Sequence, residues 1–222
     1  MTRILVIATH PDDEVLGCGG VMARHVAMGD HVSLLVVTRA IAELFPPPLV
    51  EQTRRELRQA NALLGTSDIH FLDFPAPKLD SVPGHELADA IGRIIRTIQP
   101  AQVYLPHGGD IHADHRAVYM ATLVAARPIF GCPVRKLLCY ETLSETEWSP
   151  PVASEVFIPT IFVDISAYLP QKLAAMTCYQ SQLQSPPHPR SLPAIEALAR
   201  FRGATVSLEA AEAFMLVREI VD

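Results

Sequence analysis

The first residues that could do chemistry lie in the segment 10–14, where one histidine is followed by a proline and three acids. An imidazole and a carboxylate are common zinc ligands, and a further carboxylate that stays free can move protons during hydrolysis. Pro11 disfavours helical backbone in the preceding histidine and fixes its own φ, so the chain turns here. The turn can bring His10 and Asp13 to one point, with Asp12 beside them. The segment therefore predicts part of a hydrolytic metal site.

A simpler interpretation of this segment is that Asp12 or Asp13 only caps the helix that follows, because carboxylates stabilise helix N-termini. Capping requires a single acid, and it explains neither the three consecutive acids nor the histidine before them. Metal ligation accounts for these residues together and is the favoured interpretation.

A second polar segment, residues 107–115, contains three histidines and two acids. It offers a further imidazole ligand and a histidine–acid pair. Residues two apart do not face each other on a helix, so a contact between His112 and Asp114 requires non-helical backbone, which the preceding pair of glycines favours. Alone, the segment could be a polar loop in which Asp110 or Asp114 caps a helix. Combined with the first segment, it completes the three ligands and open position of a catalytic zinc site.

Both polar segments follow apolar runs that are typical of buried strands. Residues 3–8 and 32–37 are rich in Val, Ile and Leu, and residues 15–28 between them have helical spacing, which predicts a β-α-β unit. The alternation continues to a strand over residues 102–105, directly before the second polar segment. The sequence thus predicts an α/β fold, Rossmann-like, with three α/β/α layers and a mostly parallel sheet. Ligands bind beyond the carboxyl ends of such strands.

The remaining elements follow from the same patterns. Further helices are predicted over residues 51–64, 86–98, 113–126, 168–180, 193–200 and 209–219, and further strands over residues 69–72, 136–140 and 160–163. The glycines at 17, 19 and 20 do not fit a dinucleotide-binding fingerprint and are expected to let a helix pack closely on the sheet. The proline-rich stretches 45–48 and 185–189 are expected to form loops over the site.

Composition limits the class of protein. The 222 residues, 49% of them hydrophobic, suffice for one sizeable core, and a single domain over residues 1–222 is predicted. The net charge of -6, with scattered Lys and Arg, disfavours nucleic acid as a partner. Neither a signal-peptide layout nor a long uncharged apolar run is evident, so a cytoplasmic protein without an integral membrane segment is expected. The four cysteines, without a Cys-x-x-Cys pair, are expected to be reduced core thiols.

The two polar segments together resemble the signatures of the LmbE-like, or PIG-L, family of zinc-dependent N-acetylglucosaminyl deacetylases. The matching residues are Ala8-Thr9-His10-Pro11-Asp12-Asp13-Glu14 and Asp110-Ile111-His112-Ala113-Asp114-His115. Similarity at 16–20, 54–65, 163–166 and 211–214 extends the resemblance over most of the chain. It implies hydrolysis of the N-acetyl amide of an N-acetylglucosamine-type conjugate, a small sugar-amide substrate, to free amine and acetate. It also implies one Zn²⁺ or other divalent metal ion per chain. Assembly into a homo-oligomer is compatible with the resemblance.

The resemblance implies a role for each matching residue. The implied metal ligands are His10, Asp13 and His115. Asp12 would be the general base, and a protonated His112, oriented by Asp114, would polarise the amide carbonyl. Arg54 or Arg55 would contact the substrate; the flanking sequence does not decide between them, and Arg54 is taken as the candidate.

Other functions remain open at the level of sequence. The same chemistry could act on another small-molecule amide, such as a thiol-sugar conjugate. A non-catalytic relative that binds carbohydrate or nucleotide would not need Asp12. Two histidines and one carboxylate also describe the metal site of non-haem iron oxygenases, but that site would require a jelly-roll, which the α/β pattern argues against. Finally, Cys18 could be the nucleophile of a cysteine hydrolase with a histidine as its base.

Overall fold

The structure, a computed structural model, describes residues 1–129 and 131–221. In that part of the chain the strands are β1 (Arg3–Ala8), β2 (His31–Ala40), β3 (Asp68–Ala76), β4 (Gln102–Pro106), β5 (Lys136–Tyr140), β6 (Ile161–Asp164) and β7 (Ala211–Glu219). The helices are α1 (Asp13–Ala27), α2 (Pro47–Leu64), α3 (Gly84–Ile98), α4 (Ala113–Ala125), α5 (Leu169–Cys178) and α6 (Leu192–Ala204), with a short 3-10 helix at Leu79–Ser81.

All seven strands form one sheet, in the order β3-β2-β1-β4-β5-β7-β6. Strands β1 to β5 pair in parallel, whereas β7 is inserted antiparallel between β5 and β6. The predicted mostly parallel sheet is therefore confirmed. The order places β1 next to β4, the two strands that precede the polar segments, at the centre of the sheet.

Alternate side chains of the central strands point into two separate hydrophobic cores, one on each face of the sheet, which confirms the three-layer architecture. Ile4 and Val6 of β1 point into the core that contains α1, α2, α5 and α6. Leu5 and Ile7 point into the core under α3 and α4. Helix α1 approaches the sheet closely at Gly17, where an added Cβ would lie 2.2 Å from the ring of Tyr140. The expectation that glycine permits this packing is consistent with that distance.

Two predicted elements differ from the observed ones. Residues 209–219 are not a helix: Ala211–Glu219 forms β7, because pairing with β5 and β6 outweighs the helical propensity of its alanines and glutamates. The stretch 45–48 is only partly a loop, since Pro47 starts α2, where proline is well tolerated in the first turn.

The four cysteines are free; Cys18 and Cys139 are buried, as expected of core thiols, whereas Cys132 and Cys178 are only half-buried. Within residues 1–129 and 131–221, no helix combines the length and the apolar character needed to cross a bilayer. The single domain over residues 1–222 stays a prediction, and Phe130 and Asp222 lie outside the described residues.

Candidate metal centre and catalytic site

The site forms where the chain leaves β1 and β4. The two strands pair in parallel, with Val6 opposite Tyr104, so the segments that follow them meet at the carboxyl edge of the sheet. The first segment leads directly into α1 and the second into α4. The topology thereby brings residues about a hundred positions apart into one cluster, as the sequence predicts for this edge of the sheet.

Three of the predicted side chains form a group suited to a metal ion. One ligand atom each of His10, Asp13 and His115 lies within 4.8 Å of the other two. His115 Nε2 is 3.3 Å and His10 Nδ1 is 3.8 Å from Oδ2 of Asp13. A second group with the same spacing consists of His10, His112 and Asp114. The first group is the better candidate, because His112 Nδ1 in the second is already an acceptor for the main-chain N–H of Asp114.

His115 provides the observation that tests the fit to a metal. Its Nδ1 lies 2.8 Å from Oδ2 of Asp110, whereas its buried Nε2 faces Oδ2 of Asp13 at 3.3 Å without the geometry of a regular hydrogen bond. Burial alone would lower the pKa of His115, but the charges of Asp13 and Asp110 raise it well above the ordinary value. The pocket thus attracts positive charge at Nε2, and a divalent cation with tetrahedral ligands fits this donor set.

A carboxylate also orients the other histidine. Nε2 of His10 lies 3.2 Å from Oδ2 of Asp114, and Oδ1 of Asp114 accepts the main-chain N–H of Leu79 at 3.0 Å. This contact directs Nδ1 of His10 towards Asp13. Ligand histidines commonly donate their second N–H to a carboxylate, which fixes the tautomer. The Asp114 carboxylate therefore contacts His10, whereas the prediction is that it orients His112.

The environment of His112 differs from the predicted protonated imidazole. Its Nδ1 accepts the main-chain N–H of Asp114 at 3.1 Å and so caps α4. Burial, together with the nearby charges of His10 and His115, lowers the pKa of His112 to about 4. The ring is therefore neutral at pH 7, with its proton on Nε2. A neutral Nε2–H remains a hydrogen-bond donor towards the cleft, which His112 lines.

Asp12 has a constrained backbone at the start of α1. Its φ is 108°, a region that residues other than glycine rarely adopt, and its side chain makes no cap hydrogen bond. Its N–H donates to Oε2 of Glu14 at 3.2 Å, and Oε1 of Glu14 accepts from Tyr179 at 2.5 Å and from Asn61 at 2.9 Å. Because Asp12 does not cap the helix with its side chain, the capping interpretation of this residue is wrong.

The two neighbouring aspartates have different electrostatic environments. Burial raises the pKa of Asp12 to about 8, although the positive charge of Arg190 opposes this shift. Burial would also raise the pKa of Asp13, but the charge and hydrogen bond of His115 hold it below its ordinary value. Asp12 lines the cleft and Asp13 lies behind it, against the histidines. A carboxyl whose pKa is near the working pH suits proton transfer.

A cleft of about 410 Å³ opens in front of these residues. Its walls come from the ends of β2 and β3, the first turns of α2 and the segment between α5 and α6; the residues include His10, Asp12, Arg39, Phe45, Leu49, Arg54, His112, Glu145, Ser181, Gln182 and Arg190. Arg54 reaches this cleft, pairs with Asp73 and stacks on Phe71 at 4.6 Å. Arg55 is exposed on another part of α2. The placement favours Arg54 as the substrate-contacting arginine.

Some residues at the site are not predicted as functional by the sequence. Asp110 is expected there only as a helix cap, and its pairing with His115 could have been suspected from the extra acid in the segment. Arg190 and Glu145 carry no sequence signal, because they come from irregular segments far along the chain. His107 belongs to the second polar segment, yet its Nε2 bonds the main-chain oxygen of Glu155.

The structure also bears on two alternative functions. Cys18 is completely buried, and burial raises the pKa of its thiol well above the ordinary value, so it is an inert thiol rather than a nucleophile. The mostly parallel sheet with helices on both faces is not a jelly-roll, which removes the fold that the iron-oxygenase interpretation requires.

The model of the PIG-L family, described as GlcNAc-PI de-N-acetylase, matches residues 5–126, more than half of the chain. The chain belongs to the PIG-L family. The resemblance stated from the two polar segments is thereby confirmed. All seven residues predicted to act in the site lie within the matched range, whereas Glu145 and Arg190 lie beyond it.

Several individual proteins are similar to this PIG-L family member. It is 30% identical over 249 residues to the 1D-myo-inositol 2-acetamido-2-deoxy-alpha-D-glucopyranoside deacetylase of Kineococcus radiotolerans, covering 82% of this chain and 69% of that protein. It is 32% identical over 184 residues to the uncharacterized deacetylase YaiS of Escherichia coli, and the match covers 80% of this chain and 90% of that protein. The crystal structure of the conserved protein TT1542 from Thermus thermophilus matches with a TM-score of 0.81 and 29% identity, and the match covers 100% of this chain and 97% of that protein.

Proposed function

We propose that this PIG-L family member is a metal-dependent N-deacetylase, which hydrolyses the N-acetyl amide of an N-acetylglucosamine-type conjugate to a free amine and acetate. The observation that carries the proposal is the convergence of the buried Nε2 of His115 and a ring nitrogen of His10 on the Asp13 carboxylate, while the Asp12 carboxylate stays outside this group and lines the cleft. The name of the Kineococcus relative, a deacetylase of an acetamido-sugar joined to inositol, supports this substrate class.

His10, Asp13 and His115 would hold the metal, and zinc suits two imidazoles and one carboxylate. When bound, the metal lowers the pKa of water and polarises a carbonyl oxygen. Asp110 and Asp114 keep the ligand nitrogens turned inwards, through their contacts with His115 and His10. The metal centre thus needs little rearrangement of the chain when it is loaded.

Two side chains that face the cleft have different roles in the reaction: Asp12 transfers protons, and His112 donates a hydrogen bond. Asp12 takes a proton from the attacking water, the oxygen–carbon bond forms, and Asp12 returns the proton to nitrogen as the carbon–nitrogen bond breaks. The neutral His112 donates its Nε2–H to the oxygen that gains charge. Its tautomer is fixed because Nδ1 accepts the Asp114 N–H. Arg54, on the outer wall, contacts the remainder of the sugar conjugate.

The proposal is tested by measuring acetate release. The protein is purified, stripped of metal with a chelator, reloaded with zinc and incubated with a panel of N-acetylglucosamine conjugates, including the inositol conjugate. Acetate and free amine should appear in equal amounts with the zinc-loaded protein and should be absent with the stripped protein.

Two results would contradict the proposal. Release that persists unchanged after complete metal removal would exclude a metal-dependent reaction. Binding of the sugar conjugates without release of acetate, by protein whose metal content is full, would indicate a non-catalytic carbohydrate-binding relative. An N-acetyl amide without a sugar serves as the specificity control.

A further inference from the structure

Arg190 lies in the segment between α5 and α6, lines the cleft and contacts Asp12. Its guanidinium makes three polar contacts: Nη1 to Oδ2 of Asp12 at 3.2 Å, Nη2 to Oε1 of Glu145 at 3.2 Å, and Nε to Oγ of Ser144 at 2.7 Å. The Arg190 side chain is 21% exposed and that of Asp12 is 2% exposed. The planar guanidinium is thereby fixed by three partners in two segments of the chain.

The main chain around Arg190 is fixed as well. Its N–H donates to Nδ1 of His188 at 3.0 Å, and its carbonyl oxygen accepts the N–H of Gln184 at 3.2 Å. The His188 ring packs edge-on against Trp148, with 6.0 Å between ring centroids. The proline-rich stretch 185–189 is therefore held in a defined shape, and this shape determines where the guanidinium lies.

Arg190 also distinguishes two adjacent, buried aspartates. Asp13 pairs with the histidines, whereas Asp12 pairs with Arg190. Within residues 1–129 and 131–221, Arg190 is the one cationic side chain within 4 Å of the Asp12 carboxylate. A buried carboxylate that loses its charge partner is strongly destabilised, so it must either take up a proton or turn towards another positive charge. At this site that charge would be the metal.

We propose that Arg190 is a positioning residue that holds the carboxylate of Asp12 towards the cleft and prevents it from joining Asp13 as a metal ligand. The inference rests on the proposed function, in which Asp12 transfers protons. It assigns a role to a residue outside the range that matches the family model. It also explains why the adjacent aspartates Asp12 and Asp13 have different roles.

A double-mutant cycle tests the proposal. Arg190→Ala should lower kcat by ~10²-fold, the effect expected when a catalytic group is misplaced by about 1 Å, with little change in KM. In an Asp12→Asn background, Arg190→Ala should lower kcat by less than about twofold, because Arg190 acts through Asp12. Arg190→Lys should recover part of the rate. Equal losses in both backgrounds would overturn the proposal.

A spectroscopic measurement tests the same role without relying on turnover. With Co²⁺ in place of zinc, Arg190→Ala should change the visible absorption spectrum, because Asp12 reaches the metal, and adding Asp12→Asn should restore the wild-type spectrum. A spectrum unchanged by Arg190→Ala would overturn the proposal. If Arg190→Ala does not fold, Arg190→Gln replaces it in both experiments.

Arg202 provides a matched control. It lies in α6, pairs with Glu141 through two contacts of 2.8 and 2.6 Å, and its side chain is 19% exposed, but it does not contact Asp12. Arg202→Ala should lower Tm without changing kcat or the cobalt spectrum. If Asp12→Asn alone keeps full rate, the proton-transfer step of the proposed function fails, and the cobalt spectra still support or overturn the positioning by Arg190.

Discussion

The metal end of the site and the outer wall of the cleft are built differently. The metal end consists of His10, Asp13, Asp110, Asp114 and His115, and the outer wall of Arg39, Phe45 and Arg54. At the metal end, Asp13 and His115 are each 1% exposed. On the outer wall, Arg39 is 46% exposed and pairs with a Glu51 that is 53% exposed. The centre of the metal end is therefore buried and paired, and the outer wall is open at Arg39, whereas His10, 22% exposed, and Arg54, 14% exposed, lie between these extremes.

This difference has an energetic consequence. Exposed ion pairs contribute about 0–1 kcal/mol to stability, so side chains on the outer wall can change at little cost to the fold. Removing one partner of a buried pair costs about 3–5 kcal/mol, so the metal end tolerates little change. We therefore expect substitutions on the outer wall to be tolerated more readily than substitutions at the metal end.

The largest effect is expected at the metal end. His10→Ala, Asp13→Ala and His115→Ala should each abolish metal retention, because three ligands hold the ion and each loss leaves two. Elemental analysis of the purified variants measures this. His107→Ala is the control, since this histidine lies in the same segment but bonds the Glu155 carbonyl. Full metal content in all three ligand variants would contradict the assignment.

The next effect concerns a residue that faces the cleft beside the metal. His112→Ala should keep its metal and lower kcat by ~10²- to 10³-fold, because it removes a hydrogen-bond donor to the developing oxyanion. Initial rates and metal analysis on the same preparation separate the two properties. Loss of the metal would instead indicate that the second group of possible ligands, which includes His112, is the one used.

A smaller effect on metal binding is expected at Asp110, which contacts the ligand His115 but is not itself a proposed ligand. Asp110→Asn removes the charge that pairs with Nδ1 of His115 and keeps the shape of the side chain, and it should weaken metal affinity by ~10- to 100-fold. Competition with a chromophoric chelator measures this affinity. An affinity equal to that of the wild type would show that Asp110 does not support His115.

The smallest effect is expected on the outer wall. Arg54→Ala should raise KM by about tenfold and leave kcat nearly unchanged, because a remote contact contributes the same binding to substrate and transition state. Arg55→Ala is the matched control, since the neighbouring side chain points away from the cleft. A KM raised equally by both variants would exclude a specific contact by Arg54.

The sequence predicts the residues of the metal end better than it predicts the residues that surround the general base, Asp12. The ligands follow β1 and β4, and each polar segment is contiguous, so residue types and spacing suffice to find them. Arg190 is 178 residues from Asp12 and reaches it through an irregular loop, which no periodic pattern describes. Likewise β7 contains helix-forming residues, and only its pairing partners make it a strand. Long-range contacts are therefore what sequence patterns leave out.

The metal content and kcat of Asp12→Asn, determined on one preparation, decide whether Asp12 is a proton carrier or a metal ligand. Asp13 is the proposed metal ligand and Asp12 the proposed proton carrier, although the two residues are adjacent and both are buried. Asp12→Asn should therefore keep its metal while kcat falls by ~10²- to 10⁴-fold. Loss of metal as complete as in Asp13→Ala would make Asp12 a ligand, and full metal with full rate would contradict the hydrolytic mechanism itself.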